Sequence, residues 1–213
     1  MSRRLVTVRG YPLTSVSGLL VILLYCAFTL SSWALYPFEY GPMTHYLSRL
    51  GNFDYNPVGA YLYNIGCILT GIGLMPFFIG MVLLFTENRV ERALLILGQF
   101  LGTWSGVALL LIGVFSEDQG APHMLASSIF FEINFVVLIL VGLALLFHGR
   151  MGFLAGICGV AVSLSSLVFA VYVGGPIVEW YTVFASLGFV VLVAILTYRV
   201  HRESLVPGPE TRL

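Results

Sequence analysis

The sequence is poor in charge and has no lysine. Its 213 residues include ten arginines and ten acidic residues, so charged side chains make up 9% of the chain and the formal net charge is zero. A soluble domain carries about 25% charged residues, so this composition excludes a cytosolic globular enzyme. Hydrophobic residues make up 59% of the chain, which excludes intrinsic disorder. The lack of a basic patch argues against nucleic acid as a partner. A mean hydropathy of +0.97 indicates an integral membrane protein.

Cysteine is also scarce. Cys26, Cys67 and Cys158 fall in three different apolar stretches. Their spacing matches neither a metal-binding motif nor a disulfide framework. We therefore interpret them as small packing residues.

Six apolar stretches are long enough to cross a membrane, which takes about 20 residues. They cover residues 13–35, 58–85, 93–115, 124–147, 153–173 and 180–198. The sequence predicts an all-α, polytopic six-helix bundle over residues 13–198, with tails over 1–12 and 199–213 and outer loops at about 36–57, 116–123 and 174–179. Small residues at four-residue spacing predict close helix packing. These are Gly98, Gly102 and Gly106, then Ala155, Gly159 and Ser163.

Arginine placement predicts the orientation in the membrane. Six spans put both termini on one side, where nine of the ten arginines fall, and the other side has Arg49 alone. This bias predicts cytoplasmic termini in a multi-pass protein of the plasma membrane. Residues 1–34 also resemble a signal peptide, whose removal would leave five spans. Their apolar stretch exceeds the about 7–15 residues usual in such peptides, so we expect the first helix to be retained.

The first outer loop is long enough to have structure of its own. Pro42 suits a helix start and Gly51 a helix end, while Met43, Leu47 and Leu50 follow helical spacing. The opposite face carries polar side chains, namely His45, Ser48 and Arg49. The pattern predicts a short amphipathic helix in the interface. It either closes the bundle as a lid or presents its polar face to a lipid headgroup, where arginine would bind a phosphate.

The second outer loop combines carboxylates with a histidine. Asp118 and His123 are five residues apart across a Gly-Ala-Pro turn, and Pro122 suits the start of the fourth helix. A nearby carboxylate would fix the tautomer of a neutral histidine that acts as general base or metal ligand. Alternatively, Glu117 and Asp118 only favour the helix N-terminus electrostatically.

Glu132 lies inside the fourth span, about 12 Å below its outer end at 1.5 Å per residue. An ionisable side chain at this depth indicates a functional site. Ser128 lies one turn earlier on the same face, whereas His123 lies on the roughly opposite face. Either the helix start unwinds, or His123 and Glu132 belong to different parts of the site. A structural alternative is a protonated Glu132 hydrogen-bonded to Asn64.

The remaining candidate contacts to a headgroup fall on the same predicted outer side. They are Asp54, Asn64, Glu117, Ser128, Glu179 and Trp180. Histidines and carboxylates there are ligand types that zinc accepts, but a zinc site needs three or four converging ligands. Loops without fixed spacing do not establish that convergence, so the metal stays open.

Two motif regions point to a known family. A Ser-x-Leu-Gly stretch with a following proline falls on Ser48, Leu50, Gly51 and Pro57. A glycine, aromatic, aspartate and histidine series before a helix start falls on Gly113, Phe115, Asp118 and His123, with residues 126–131 following. Together they resemble the six-span family catalogued as domain of unknown function 998, which is similar to the wider Frag/DRAM/Sfk-like membrane superfamily. Ser116 stands where that family has a proline.

The resemblance implies little about activity, because the family has no settled one. Eukaryotic relatives in the superfamily are linked to remodelling the lipid part of glycolipid anchors, which implies work on a lipid or glycolipid at the outer leaflet. We therefore expect a hydrolase or transferase in which His123, Asp118 and Glu132 carry acid/base or metal-assisted chemistry. Membrane lipids are the expected partners, and a homo-oligomer is left open.

Two other classes of protein fit the same sequence. One is a small-solute or proton-coupled carrier, for which Pro76 inside the second span would interrupt a helix near the midplane. The other is a scaffold or sensor without turnover, for which only the packing glycines would matter.

Overall fold

The computed structural model describes residues 6–205. It contains six long α-helices in chain order. They are α1 (Leu13–Ala34), α2 (Gly59–Gly80), α3 (Arg89–Val114), α4 (Ala121–Leu145), α5 (Gly149–Tyr172) and α6 (Pro176–Glu203). All six helices are long and apolar enough to cross a membrane, and the second span includes the short helix that follows α2. This confirms the predicted all-α six-span bundle. Arg3, Arg4, Glu210 and Arg212 lie outside the described residues, as does the start of the signal-peptide-like segment.

Local signals in the sequence set the helix starts. The Asn88 side chain accepts hydrogen bonds from the backbone N–H groups of Val90 at 2.9 Å and Glu91 at 3.4 Å, and so caps α3. Helices α4 and α6 each follow a glycine with positive φ, Gly120 at 70° and Gly175 at 72°. Each then has a proline in its first two positions, where the missing N–H has no cost.

The helices pack as a ring in which each contacts the next along the chain and α6 contacts α1. Glycine allows the closest approaches. A Cβ atom on Gly71 of α2 would lie 2.5 Å from the carbonyl oxygen of Gly106 on α3. On α3, a Cβ atom added at Gly98, Gly102 or Gly106 would lie 2.6, 2.4 or 2.8 Å, respectively, from the nearest atom of a neighbouring helix. The predicted packing role of these glycines is confirmed.

Helix α2 runs through Pro76 without a break. Proline removes the hydrogen bond to the carbonyl group four residues earlier, and α2 ends soon afterwards at Gly80. A 3₁₀ helix, Met81–Leu84, continues the chain. The described helix therefore has no unwound midplane segment of the kind that the carrier alternative would use.

We call the end of the bundle formed by residues 36–58, 115–120 and 173–175 the groove end. The loop 36–58 contains a short helix, as predicted, but it is not the amphipathic α-helix that the spacing of Met43, Leu47 and Leu50 favoured. Its helix is a five-residue 3₁₀ helix, Leu47–Gly51. Leu47 and Leu50 are fully buried, because three residues per turn put them on one face. Met43, by contrast, is 76% exposed. The loop is anchored in the bundle instead of lying flat in an interface.

We call the opposite end, where the described part of the chain begins and ends at residues 6 and 205, the terminal end. Three titratable side chains at this end are buried, those of Glu91, His148 and His201. Glu91 is 3% and His201 8% exposed, and the His148 side chain is 8% exposed. A hairpin of β1 (Thr7–Val8) and β2 (Tyr11–Pro12) folds back on this end. The Gly10 carbonyl oxygen in its turn lies 3.2 Å from Nε2 of His201.

Candidate functional site

A groove of about 660 Å³ opens at the groove end between the first two loops and helices α4, α5 and α6. Seven predicted site residues line it, namely Ser48, Arg49, Glu117, His123, Ser128, Glu132 and Glu179. Other parts of its wall are apolar, with Phe131, Phe135, Ala170 and Val178. The groove is therefore amphipathic.

His123 is the third residue of α4 and is 3% exposed. Its Nδ1 atom lies 2.7 Å from the carbonyl oxygen of Phe115. A carbonyl oxygen only accepts hydrogen bonds, so Nδ1 carries the hydrogen and a neutral ring keeps its lone pair on Nε2. This arrangement makes Nε2 the atom that can act as a general base.

Asp118 does not orient His123, and that prediction is wrong. The aspartate lies in a 3₁₀ helix, Glu117–Gln119. Its Oδ1 atom accepts a hydrogen bond from the backbone N–H of Phe53 at 3.2 Å. The tight turn directs this carboxylate to the first loop, whereas α4 directs His123 into the bundle. A backbone carbonyl group supplies the orientation that the sequence pattern assigned to Asp118.

Glu132 is exposed and lines the groove further along α4. Helix α4 is regular from Ala121 onward, so His123 and Glu132 are about 13 Å apart along its axis. They belong to different parts of one groove, which is the second of the two predicted alternatives. Asn64 was the hydrogen-bond partner that the structural alternative gave to Glu132. It instead donates from Nδ2 to the Gly51 carbonyl oxygen at 3.0 Å. Within residues 6–205, the Glu132 carboxylate has no hydrogen bond.

Arg49 and Glu117 connect the first two loops. Nε of Arg49 lies 3.4 Å from Oε1 of Glu117, and the Asn52 amide donates to the other carboxylate oxygen. The guanidinium group also lies over the Tyr55 ring, 4.3 Å from its centroid, as in a cation–π contact. The charge of Arg49 is thus balanced within the protein.

Glu179 connects α6 to the first loop. Its carboxylate oxygens accept hydrogen bonds from the backbone N–H of Leu47 at 2.9 Å and of Ser48 at 3.2 Å. These two N–H groups lie at the start of the 3₁₀ helix, where they have no partner within that helix. Glu179 therefore positions the segment that carries Ser48 and Arg49 at the rim of the groove.

His45, Trp180 and Asp54 lie outside the groove lining, as do Asn64 and Asp118. Trp180 is 6% exposed, and its Nε1 donates to the His45 carbonyl oxygen at 3.0 Å. The His45 ring stacks on Tyr40 with centroids 5.2 Å apart. Burial raises the pKa of the Tyr40 hydroxyl above its usual range, so it stays protonated and donates to the Tyr46 carbonyl oxygen at 2.7 Å. Asp54 is exposed. The histidine and tryptophan support the loop and do not face the groove.

Thr182 is a groove residue that the sequence interpretation missed. It is 1% exposed and lines the groove, and its Oγ1 atom has no hydrogen-bond partner in the described part of the chain. One signal was available, because Thr182 follows Glu179 by three residues and so shares its helix face. Tyr46, Met124 and Ser127 also line the groove.

The described residues, 6–205, contain no group of three or more His, Cys, Asp or Glu side chains arranged to hold a metal ion. His45 and Asp118 lie outside the groove, so they do not converge with His123 and Glu179. The groove instead offers separate hydrogen-bond acceptors, which are the His123 Nε2 atom and the carboxylates.

Six membrane-spanning helices and an amphipathic groove at one end define a multi-pass, all-α membrane protein. The model of the family described as protein of unknown function (DUF998) matches residues 19–202. The chain belongs to this family. Comparisons with curated proteins and with solved structures give no match.

Proposed function

We propose that the groove binds the headgroup of a membrane lipid or glycolipid and that the protein acts on it as a hydrolase or transferase. The observation that carries this proposal is Glu132, an exposed carboxyl side chain on a membrane-spanning helix that lines the groove. An ionisable group open to hydrocarbon would be costly. Its position is therefore consistent with a groove that contains a polar ligand or water.

The distribution of polar and apolar groups supports an amphiphilic ligand. Loop residues Ser48 and Arg49 and the start of α4 make one part of the groove polar, whereas Phe131 and Phe135 make its continuation along α4 apolar. Binding sites for small molecules are mostly apolar, with a few polar groups that fix orientation. A headgroup would contact the polar part, and the first segment of an acyl chain would contact the two aromatic rings.

His123 and Glu132 have different roles in this proposal. Nε2 of His123 takes a proton from a hydroxyl group of the headgroup or from a water molecule, as a general base does. Glu132, which lies between Phe131 and Phe135 in α4, accepts a hydrogen bond from the polar group that joins the headgroup to the acyl chains, or supplies a second acid/base group. The separation of about 13 Å along α4 argues against the two acting on one atom.

The charges of the groove favour a particular headgroup. Three carboxylates, Glu117, Glu132 and Glu179, line it together with one guanidinium group, Arg49, which already pairs with Glu117. Two acceptors that have no hydrogen bond within the described residues are the Glu132 carboxylate and Nε2 of His123. They complement a ligand rich in hydroxyl groups better than an isolated phosphate. This balance supports a glycolipid more than the phosphate contact expected for Arg49.

We also propose that the groove end faces the outside of the plasma membrane and that both termini are cytoplasmic. The arginines of the described helices and connections support this orientation, since Arg89, Arg92, Arg150, Arg199 and Arg202 belong to the terminal end and Arg49 to the groove end. A fluorescent protein fused to the C-terminus should be fluorescent, and a periplasmic phosphatase fused there should be inactive. Active phosphatase would contradict this orientation.

Lipid binding is tested with protein in nanodiscs that contain a glycolipid, a phospholipid of equal chain length, or both. Native mass spectrometry should show preferential retention of the glycolipid. Glu132→Gln should weaken that retention about tenfold, the size expected for a hydrogen bond to a charged group. Glu87→Gln changes an exposed carboxylate at the terminal end and serves as the control. Equal retention in both variants would contradict the proposed site.

Turnover is tested separately by incubating the protein with glycolipid and analysing the lipid products. His123→Gln should abolish product formation while the variant still binds lipid and elutes as a folded protein. Unchanged product formation would exclude the proposed role of His123. Solute uptake into proteoliposomes that depends on Glu132, with no change in the lipids, would support a carrier instead.

A further inference from the structure

A second cavity lies between the helices of the bundle. It has a volume of about 60 Å³ and is lined by residues of α1, α2, α3, α4 and α6. Its polar lining groups come from several helices and are Tyr25, Thr70, Ser105, Asn134, Thr182 and Ser186. We call this cavity the inner chamber. At 1.5 Å per residue, Thr70, Asn134 and Ser186 lie roughly 15–20 Å from the groove-end termini of their helices, near the middle of the membrane.

Two hydroxyl groups in the inner chamber have no partner. Thr70 and Thr182 are each 1% exposed, and neither Oγ1 atom has a hydrogen bond in the described part of the chain. A helical serine or threonine can usually donate to the carbonyl group four residues earlier. Ser186 does so to Thr182 at 2.7 Å, and Thr197 does so to Val193 at 2.8 Å. Thr70 and Thr182 do not, so their hydrogen-bonding capacity is directed elsewhere.

The inner chamber has room for water, and a few polar side chains interrupt its largely apolar wall. A water molecule needs about 10–15 Å³ of this kind of volume and two to four polar partners, whereas purely apolar cavities stay dry. The available volume of about 60 Å³ exceeds that of a single water molecule. Asn134 donates from Nδ2 to Oγ of Ser186 at 3.1 Å, and its amide has a further donor and acceptor.

Thr182 joins the inner chamber to the groove. Among residues 6–205 it is the one that lines both spaces. Its side chain is therefore shared by the walls of the two spaces. Toward the terminal end, the inner chamber is bounded by apolar side chains such as Leu74 and Phe77.

We propose that the inner chamber is a hydration site, in which water molecules bind the hydroxyl groups of Thr70 and Thr182 and exchange with the groove past Thr182. The site is distinct from the lipid-binding groove and does not depend on the proposed function. Its consequence is a hydrated path that enters the bundle from the groove end alone and stops at the midplane. A ligand that fills the groove would leave this water in place beneath it.

The test uses the reactivity of single cysteines toward Ag⁺, an ion small enough to follow water. The three native cysteines, which are all free, are replaced by alanine, and Ser186→Cys is compared with Ala185→Cys in nanodiscs. The two positions are adjacent in α6, but only Ser186 lines the inner chamber. After excess Ag⁺ is removed and the protein is denatured, a maleimide is added. The fraction of cysteine that it labels is the fraction that had not reacted with Ag⁺.

Ser186→Cys should react at least about tenfold faster than Ala185→Cys, because a thiol in apolar surroundings has little reactive thiolate. Adding Thr182→Leu should slow Ser186→Cys to the control rate. Equal slow rates at both positions would overturn hydration of the inner chamber. An unchanged rate in the Thr182→Leu variant would overturn the connection through Thr182.

A second pair of variants covers the case in which Ser186→Cys does not fold. Thr70→Cys should react faster than Leu69→Cys, whose side chain is 37% exposed on the outside of the bundle. An experimental structure at about 2 Å resolution should show ordered water between Thr70 and Thr182. An empty chamber at that resolution would overturn the proposal, whatever the lipid-binding result.

Discussion

The imidazole ring of His148 contacts the carboxylate of Glu91 inside the terminal end of the bundle. Nδ1 of His148 faces Oε1 of Glu91, and Nε2 lies 2.6 Å from the Leu84 carbonyl oxygen. Because a carbonyl oxygen only accepts, Nε2 carries a hydrogen and donates it to Leu84. The hydroxyl of Thr86 donates to the second carboxylate oxygen at 2.6 Å. This buried pair ties α3 to the connections that follow α2 and α4.

Removing the Glu91 carboxylate should destabilise the protein strongly. Glu91→Ala leaves a buried histidine without its partner, and breaking a buried pair in this way costs about 3–5 kcal/mol. Thermal unfolding in detergent is the measurement, and Glu87→Ala is the control, since Glu87 is exposed four residues earlier. Similar unfolding temperatures for both variants would show that the pair contributes little to stability.

Glu179 should control the order of the first loop. Glu179→Ala removes the acceptor of two backbone hydrogen bonds, and a hydrogen bond contributes about 0.5–1.5 kcal/mol. We expect faster amide hydrogen exchange at Leu47 and Ser48 with little change at the terminal end. Glu39→Ala alters an exposed carboxylate near the same loop and should leave exchange unchanged. Unaltered exchange in Glu179→Ala would contradict the anchoring role.

Gly71 should tolerate no larger side chain. A Cβ at this position would lie 2.5 Å from the Gly106 carbonyl oxygen, so Gly71→Ala must separate α2 from α3, and such overpacking costs about 1–3 kcal/mol. Gly188 is the matched control, because an added Cβ there meets nothing within 4 Å. Gly188→Ala should stabilise α6 by up to about 1 kcal/mol through helix propensity. Thermal unfolding of the two variants should shift in opposite directions, and a shared direction would argue against backbone contact between α2 and α3.

His123 should exist as the Nδ1–H tautomer in its neutral form. The 2.7 Å contact between Nδ1 and the Phe115 carbonyl oxygen requires a hydrogen on Nδ1. Nitrogen-15 chemical shifts of selectively labelled protein distinguish the two ring nitrogens. A protonated Nε2 on a neutral ring would contradict the bond to Phe115 and with it the proposed general base.

The features of the candidate site that depend on a single helix could be predicted from the sequence. Glu132 and Ser128 lie on the same part of α4, and both line the groove. Their relation follows from helix geometry alone, because residues four apart share a face. The start of α4 beside Pro122 was predictable for the same reason, since a local conformational preference sets it.

Predictions that paired residues across loops failed where tertiary contacts compete. Asp118 is only five residues from His123, yet its carboxylate accepts from Phe53, 65 residues away in the chain. Leu47 and Leu50 follow helical spacing, but burial of both against the bundle selects a short 3₁₀ helix. Local spacing cannot reveal which distant backbone group competes for a side chain.

The sequence by itself determined the six spans, because the apolar length needed to cross a bilayer is a local property. It also determined which polar residues lie near each end of the bundle. Only the tertiary structure decided that seven of the predicted site residues share one groove, that His123 is oriented by a carbonyl group, and that Glu91 and His148 are buried together. These relations join residues that are far apart in the chain, so they depend on how the helices pack and not on any local pattern.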